Sequence, residues 1–390
     1  MNKIKYILEK ITFKKSIYII FFTCILCLFR QNVQATDTIK DSLGFDEYIS
    51  TINKYVSQSD ANDAIDITDL ASNLISNKSI EYNSTFSKLL SIFFKEVITA
   101  LKSGVSIYIV IILMAVISSL EIENDSSIAK ISYLACFIVI AIINVKMFVD
   151  VIAIFKNTIG IISIIMKIVS PFLLTILIAT GAISSTTIIQ PMLLFLASLV
   201  NSIIEYIVIP FLSISVALNI IDSLTDKLRL SRLAKMFSKA GIWIIGVALT
   251  VFLGVLSLET NISSSVDSLA VKTTQAAVSD FIPVVGKFFS DSFETVVGAT
   301  KIVSNVGGTI GIIAIIAVTF VPIIKILSIM LIYMILSALA EPICHDKRIL
   351  DNLDMFAQTY KSLFGILVGV DIIFIISIAI ILNLSSSILK

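Results

Sequence analysis

The sequence predicts an all-α, polytopic integral membrane protein with about six to seven transmembrane helices, re-entrant or amphipathic hairpins and internal repeats, preceded by a small extracytoplasmic helical head. Of the 390 residues, 57% are hydrophobic and only 15% are charged, and the mean hydropathy is +1.00. A soluble chain of this length needs far more charge to cover its surface, which argues against a cytosolic enzyme or a disordered scaffold. With 29 basic and 28 acidic residues, the chain has no global field that would attract nucleic acid.

Residues 1–35 are predicted to be a signal peptide. Five lysines and one glutamate precede an apolar run from Ser16 to Phe29, and Val33-Gln34-Ala35 follows as a small-residue cleavage site. This order is typical of a cleavable secretion signal. An uncleaved anchor is the alternative, and both would place the following residues outside the cytosol.

Residues 36–96 are predicted to form an acidic extracytoplasmic head. From Thr36 to Lys88 there are nine acidic and four basic residues, and the apolar residues are spaced as in amphipathic helices. Because about 50 residues cannot bury a substantial core, we expect a docking element and not an independent domain.

Beyond Val97 the chain is almost continuously apolar. Windows of about 20 residues predict membrane spans near 105–120, 131–149, 168–189, 191–221, 240–258, 309–341 and 363–386. If the first four each cross once from an outside head, the basic stretch Asp222–Lys239 ends up outside, which violates the positive-inside tendency.

An internal repeat would resolve this conflict. The interval from Pro171 to Pro210 equals the interval from Pro283 to Pro322, so the second pair of prolines repeats the first at a constant offset. The alternative is coincidence in a background rich in Ile, Leu and Ser. The repeat predicts three membrane units, which are 97–158, 159–266 and 267–390.

Each unit would hold a long helix, a polar hinge, a second helix and then a segment that does not cross. The hinges, all facing the cytosol, are 121–130, 222–239 and 342–361. The non-crossing segments, interfacial or re-entrant on the outer side, are 151–189 and 259–308. The repeat therefore predicts about six crossings with a pair of re-entrant hairpins.

The second hairpin is amphipathic, because charged residues interrupt apolar residues that recur at helical spacing. Pro283 and Gly286 are predicted to break it into two short helices. The candidate hairpin residues are Lys272, Pro283, Gly286, Glu294, Gly298, Gly307 and Gly308. A broken-helix pair lining a polar cavity or pore and a surface hairpin in the headgroup region stay open as equal alternatives.

Polar residues inside the predicted spans are candidates for a polar pathway or for helix packing, because charge inside a bilayer is costly. They are Asn201, Glu205, Lys325 and Asp371. Asn201 and Glu205 lie four residues apart on one helix face. The alternative for Lys325 is that its amine extends to the headgroups. Pro210 and Pro322 lie inside long apolar helices and are predicted to kink them.

No catalytic, metal or cofactor site is predicted. The chain has no phosphate-binding loop, no zinc-ligand spacing and no nucleophile elbow, and His345 is its single histidine. Two of the four cysteines lie in the signal, which leaves Cys136 and Cys344, too few for a metal cage or a disulfide framework. We therefore expect that the protein is not an enzyme.

Several runs of residues carry a resemblance to a known family. They are Leu224-Thr225-Asp226 through Leu233-Ala234-Lys235, Leu249–Val255, Ala270–Thr273, Phe281–Gly286 and Val297–Ala299. These runs resemble the stage III sporulation protein AE family. The resemblance extends from about residue 90 to 390 and is most specific between 222 and 325. The order of signal, acidic head and polytopic domain also fits.

The resemblance implies a multi-pass protein of the mother-cell membrane around the forespore, with its N-terminal head outside the cytosol. It implies membership in a secretion-like channel complex of the endospore. The implied partners are the lipid bilayer, the other stage III sporulation A-operon proteins and, indirectly, stage II sporulation protein Q. The family has no established catalytic residues, and self-association stays open.

Two functions are expected from these observations. In the first, the chain is a membrane platform or part of the conduit of that channel complex, which is needed for endospore formation. The alternative is a secondary permease that moves small metabolites across the forespore-surrounding membrane. The hairpin at 267–308, Glu205 and Asp371 would then lie near the transport path.

Overall fold

The computed structural model describes residues 44–58, 82–119, 126–179, 183–224, 230–281, 285–344 and 347–387, with side-chain packing described for most of them but not for 257–302. The predicted signal peptide, residues 1–35, lies outside the described residues. So does most of the predicted head, residues 36–96.

The described residues are almost entirely α-helical. The helices are α1 (Phe45–Val56), α2 (Tyr82–Ser119), α3 (Ser126–Ala179), α4 (Ile183–Ile203), α5 (Ile209–Leu224), α6 (Ser231–Phe281), α7 (Val285–Ala340) and α8 (Lys347–Ser387). One π-helical turn, Ile204–Val208, joins α4 to α5.

Within the described ranges, six helical segments are long and apolar enough to cross a membrane. They are Leu90–Ile117 of α2, Leu134–Ile178 of α3, Ile189–Leu224 across α4 and α5, Ser231–Leu256 of α6, Val303–Ala340 of α7 and Lys347–Asn383 of α8. These segments confirm the prediction of an all-α, polytopic membrane protein.

The helix α3 contains the predicted span at 131–149 and the first part of the predicted span at 168–189, whose last residues lie in α4. The windows at 131–149 and 168–189 were separated by a drop in hydropathy, but α3 continues through that drop as 54 helical residues with Pro171 inside. The expected helix end near residue 150 is therefore wrong. The drop comes from polar side chains such as Lys156 and Asn157 on one side of the helix, and these residues lower hydropathy without breaking the backbone. The three predicted repeat units stay a prediction, and their boundaries at 158 and 266 lie inside α3 and α6.

α7 and α8 form the centre of the bundle. In the most apolar window of α7, 67% of the residues are buried, and in that of α8 50%, against 28–29% in the other four segments. From Val303 to Met330, α7 has no exposed residue, because α8, α3 and α2 pack around it. Helices that are apolar on all sides belong in such a position, while α2, α3 and α6 leave apolar side chains exposed, as contact with lipid requires.

The π-helical turn at Ile204–Val208 has a local cause. Pro210 has no N–H for the carbonyl group one turn earlier, and its ring would clash with that carbonyl. A wider turn immediately before the proline relieves the clash. The sequence predicted a distortion at Pro210, and the structure has one there. At Pro322 the α-helical pattern of α7 is uninterrupted.

The predicted break in the second hairpin falls between α6, which ends at Phe281, and α7, which begins at Val285. Pro283 itself lies outside the described residues. The two arms are not short helices, as predicted, but the ends of helices of 51 and 56 residues. The arm of α6 begins after Leu256, and the arm of α7 ends before Val303. These two residues are the ones nearest the arms whose described side chains pack in the core.

Candidate functional site

Glu205 lies on the outer surface of the bundle, where it forms an ion pair. Its Oε1 atom is 2.7 Å from Nζ of Lys156, and the two side chains are 32% and 56% exposed. Lys156 is at the midpoint of the apolar segment Leu134–Ile178 of α3. Asn201, one turn before Glu205, is half-buried. These residues therefore sit at mid-segment but do not face the interior of the bundle.

The π-helical turn positions Glu205 for this contact. Glu205 and Tyr206 both lie in the turn, and Tyr206 is 73% exposed. An extra residue in one turn of helix rotates the following side chains relative to a regular α-helix. The sequence pattern predicts regular α-helical spacing through this region and does not single out Lys156, so the pair was not predicted.

Asp371 lies inside the bundle. Its side chain is 6% exposed, and its Oδ1 atom has no hydrogen-bond partner among the described residues. The hydroxyl of Thr319, on α7, faces the carboxyl group, although it also donates a 2.9 Å hydrogen bond to the carbonyl oxygen of Ile315. A buried carboxyl group with an unpartnered oxygen is costly and is a candidate for a protonation or cation site.

The four predicted polar candidates are not gathered into one pathway. Glu205 is on the surface with Lys156, whereas Asp371 is enclosed between α7 and α8. Lys325 is half-buried on α7 and has no ion-pair partner in the described part of the chain. The hypothesis that Glu205 and Asp371 share one transport path therefore loses its geometric basis.

A buried network of amides joins four helices at one end of the bundle. Tyr333 donates to Oδ1 of Asn144 at 2.8 Å, Asn144 donates to Oδ1 of Asn352 at 3.1 Å, and Asn352 donates to Oδ1 of Asn219 at 2.7 Å. All four side chains are at most 4% exposed. They come from α7, α3, α8 and α5, and we call this level of the bundle the asparagine end.

This network was not predicted from the sequence, although a signal was present. Asn144 and Asn219 are amides inside predicted spans, as is Asn201, which was selected. An amide in an apolar helix must find a hydrogen-bond partner, but the pattern along one helix does not show which amide faces another. Asn352 lies in the predicted hinge at 342–361 and carried no such signal.

α1 is an amphipathic helix that docks at the opposite end of the bundle. It begins after Gly44, whose φ of 65° suits glycine, and its first turn carries Asp46 and Glu47, which favour a helix N-terminus. Its apolar residues recur at i, i+3, i+4, i+7 and i+11 and are all buried: Phe45, Tyr48, Ile49, Ile52 and Val56. They pack on α3 and α7.

Tyr48 makes the most specific contacts of α1. Its hydroxyl donates a 2.7 Å hydrogen bond to the carbonyl oxygen of Gly307 in α7. Its ring stacks on Phe172 of α3, with centroids 3.8 Å apart and an interplanar angle of 10°. Burial raises the pKa of Tyr48 well above its usual range, so the hydroxyl stays protonated and remains a donor. We call this level of the bundle the α1 end.

Gly307 and Gly308 are packing positions within α7, which corrects their predicted place in a hairpin. A Cβ atom on Gly307 would lie 2.4 Å from Cε1 of Phe172, and one on Gly308 would lie 2.6 Å from Leu382. Lys272, Gly286, Glu294 and Gly298 lie in the helical arms of α6 and α7, but their side chains are outside the described part. Their predicted roles stay predictions.

In the ranges that the structure describes, no group of three or more His, Cys, Asp or Glu side chains could hold a metal ion. Cys136 and Cys344, the two cysteines in these ranges, are not joined in a disulfide. The expectation of no catalytic or cofactor site stays a prediction.

Comparison with known proteins identifies the family. The model of the stage III sporulation protein AE family matches residues 65–385. The chain belongs to this family. Stage III sporulation protein AE of Bacillus subtilis (strain 168) is 26% identical over 308 residues, which cover 79% of this chain and 77% of that protein. No solved structure matches the chain. The resemblance drawn from the sequence is confirmed, and this family member is a multi-pass membrane protein with a role in sporulation.

Proposed function

We propose that the chain is a membrane platform, or part of the conduit, of the channel complex between mother cell and forespore. The observation that carries the proposal is that α1 docks at the end of the bundle from which the arms of α6 and α7 extend. Tyr48 of α1 contacts Gly307, about one helical turn from Val303, where the arm of α7 joins the bundle. Head and arms therefore leave the bundle together and offer one composite surface for partner proteins.

The length of the arms supports a role in recruitment. The arm of α6 runs from Leu256 to the helix end at Phe281, and the arm of α7 runs from Val285 to Val303. At the rise of an α-helix these arms are about 38 and 27 Å long. Arms of this length would reach well beyond the headgroups into the space between the two membranes, where the other stage III sporulation A-operon proteins are expected.

The distribution of basic residues supports an orientation with the α1 end outside the cytosol. Arg232, Lys235 and Lys239 lie in the first turns of α6, and Arg232 and Lys235 are exposed. Ser215 of α5 donates a hydrogen bond to the carbonyl oxygen of Ala234, which places this region one turn from Asn219 and so near the asparagine end. Basic residues favour the cytosolic side, so the asparagine end would face the mother-cell cytosol.

Shortening the arms tests the platform. Residues 269–298 would be replaced by a short Gly/Ser turn in the full chain, and recruitment of fluorescently tagged A-operon proteins to the forespore-surrounding membrane would be imaged. We expect the chain to stay in the membrane while recruitment and spore formation are lost. The matched control is a Gly/Ser replacement of residues 225–229, between α5 and α6 at the other end. Normal recruitment with shortened arms would refute the proposal.

Asp371 is the observation that favours the alternative of a secondary permease. The Asp371→Asn variant keeps the shape and a hydrogen-bonding group but removes the charge that ion coupling would need. If the permease function holds, this variant blocks metabolite passage into the forespore while A-operon proteins are still recruited. If passage and spore formation are intact in Asp371→Asn, the permease is ruled out.

A further inference from the structure

The exposed side of α3 changes character near residue 150. Between Leu134 and Val149 its exposed side chains are mostly large and apolar. From Asp150 to Lys167 no large apolar side chain is exposed on this helix. Six exposed residues form what we call the α3 polar face: Lys146, Asp150, Ala153, Lys156, Asn157 and Lys167. At the angular spacing of an α-helix they fall within an arc of about 120°.

At the level of the α3 polar face, the neighbouring helices expose apolar surface. Lys156 pairs with Glu205, and the adjacent Tyr206 is 73% exposed. Gly241 of α6 packs on Val208, which brings the next turn of α6 to the same level. There Trp243 is 72% exposed and Ile242 37%. Such surface is suited to lipid, so the polar face lies at a depth where lipid surrounds the rest of the bundle.

Lipid is a poor cover for the polar face. The charges of Lys156 and Glu205 are paired, but Lys146, Asp150 and Lys167 have no ion-pair partner in the described part of the chain. Charged side chains at such a depth almost always contact another polar group, either in protein or in a water-filled cavity. The face therefore needs an occupant that supplies charges of both signs.

We propose that the α3 polar face is a contact between two copies of this chain. Copies inserted in one membrane share one orientation, so their α3 helices would lie side by side, parallel and at equal depth. In a two-fold contact, residue i of one copy meets residue j of the other and the reverse. Lys146 and Asp150 are one turn apart, about 6 Å along the axis. Each lysine can therefore reach the aspartate of the other copy, which gives two reciprocal ion pairs.

The remaining residues of the face suit close packing of two helices. Ala153 and Gly160 are small, and a Cβ atom on Gly160 would meet nothing within 4 Å. Asn157 lies between them and can hydrogen-bond across the contact. Small residues with hydrogen-bonding side chains are characteristic of helix association in membranes.

An open groove of about 500 Å³ continues the polar face toward the asparagine end. It is lined by Ile138, Ala141, Ile142, Val145, Lys146 and Leu224. Apolar side chains from α3 of the other copy would fill this groove next to the Lys146 pair. In such a contact, apolar groups of one chain would meet apolar groups of the other, and charged groups would meet groups of opposite charge.

Oxidative cross-linking in membranes tests the contact. The full chain, with its four cysteines replaced by alanine, would carry Asn157→Cys. The matched control carries Val105→Cys on α2, a residue that is 54% exposed but outside the polar face. We expect Asn157→Cys to form disulfide-linked pairs at least ~5-fold more efficiently than Val105→Cys, since specific association exceeds random collision. Equal efficiencies would overturn the proposal.

Charge exchange tests the two reciprocal ion pairs. In a pair of identical copies, Lys146→Asp leaves four acidic groups at the contact and Asp150→Lys leaves four basic groups. Each variant alone should therefore cross-link ~5-fold less through Asn157→Cys, because like charges repel. When the two variants are co-expressed with different tags, mixed pairs regain attraction and cross-linking should return. A change within one helix cannot produce this rescue. If mixed pairs stay as weak as the single variants, the reciprocal pairing is wrong.

If the chain without its native cysteines does not accumulate in the membrane, a second measurement tests the contact without cross-linking. Two differently tagged and otherwise unaltered chains would be co-expressed and solubilised in mild detergent, and co-purification should fall when both carry Lys146→Asp. Co-purification that is absent, or unchanged by the substitution, would overturn the proposal. Labelling of Asn157→Cys by a hydrophilic thiol reagent without cross-linking would assign the face to a water-filled cavity and also refute it. The contact does not rest on the proposed channel function.

Discussion

The two ends of the helix bundle are held together by different kinds of contact. At the asparagine end, three amides and a tyrosine hydroxyl join α3, α5, α7 and α8 in one chain of hydrogen bonds. At the α1 end, Gly307 and Gly308 let ring and aliphatic side chains approach the backbone of α7 closely. The stretch of α7 from Gly307 to Tyr333 is about 39 Å of helix, similar to the thickness of a bilayer with its headgroups.

The two kinds of contact should tolerate substitution to different degrees. A hydrogen-bonded network cannot lose one member without leaving another group unpartnered in an apolar interior. A packed end can relax around a small change, because side chains and a peripheral helix can move. We therefore expect the asparagine end to be the more sensitive, and the following substitutions compare the two ends.

The largest effect is expected for Asn352→Leu. Asn352 both accepts from Asn144 and donates to Asn219, so its loss leaves two buried amides each short of a bond. We expect a loss of about 3 kcal/mol in stability, measured as a lower thermal midpoint of the detergent-solubilised chain. Gln358→Leu, an exposed position of the same helix, is the control and should change little. Equal midpoints for the two variants would show that the network does not hold the four helices.

A smaller effect is expected for Gly307→Ala. The added Cβ atom would lie 2.4 Å from Phe172, on which Tyr48 stacks, so α1 must shift. We expect a loss of about 1.5 kcal/mol, confined to the docking of α1. A reporter Ile52→Cys, on the buried side of α1, should react faster with a thiol reagent in this variant. Gly246→Ala, where the Cβ atom meets nothing within 4 Å, should leave the labelling rate unchanged.

The fold class and the presence of about six membrane-spanning helices could be predicted, because both depend on hydropathy and length. The continuity of α3 could not. Asp150, Lys156 and Asn157 lower the mean of a hydropathy window whether they lie in a loop or on one side of a helix. Only the neighbours of α3 show that its other side is buried, so a helix with one polar face was mistaken for a span followed by a hairpin.

The candidate site residues were predicted less well than the fold. Glu205 and Asp371 are both acidic residues in apolar helices, yet one is paired on the surface and the other is enclosed. That distinction depends on which helices pack together. Gly307 and Gly308 are the end of the predicted hairpin segment, but in the structure they permit close approach between helices. Long-range contacts of this kind leave no local pattern.

The smallest effect is expected for Tyr48→Phe, which sharpens the comparison by removing one hydrogen bond from the α1 end without changing its shape. The carbonyl group of Gly307 keeps its hydrogen-bond partner within α7, so we expect a loss of only about 1 kcal/mol in the free energy of α1 docking. The loss should be measured as modestly faster labelling of Ile52→Cys.

The pH dependence of α1 docking should also differ between the two chains. The folded pKa of Tyr48 is raised by burial, so docking is at full strength below the unfolded value of about 10 and weakens as the pH rises above it. The Phe variant has no such group, and its docking should not change between pH 8 and pH 11, so the labelling rates of the two chains should converge toward the upper end of this range. Parallel rates over this range would mean that Tyr48 titrates as it would in solvent and is not buried where α1 docks on α3 and α7.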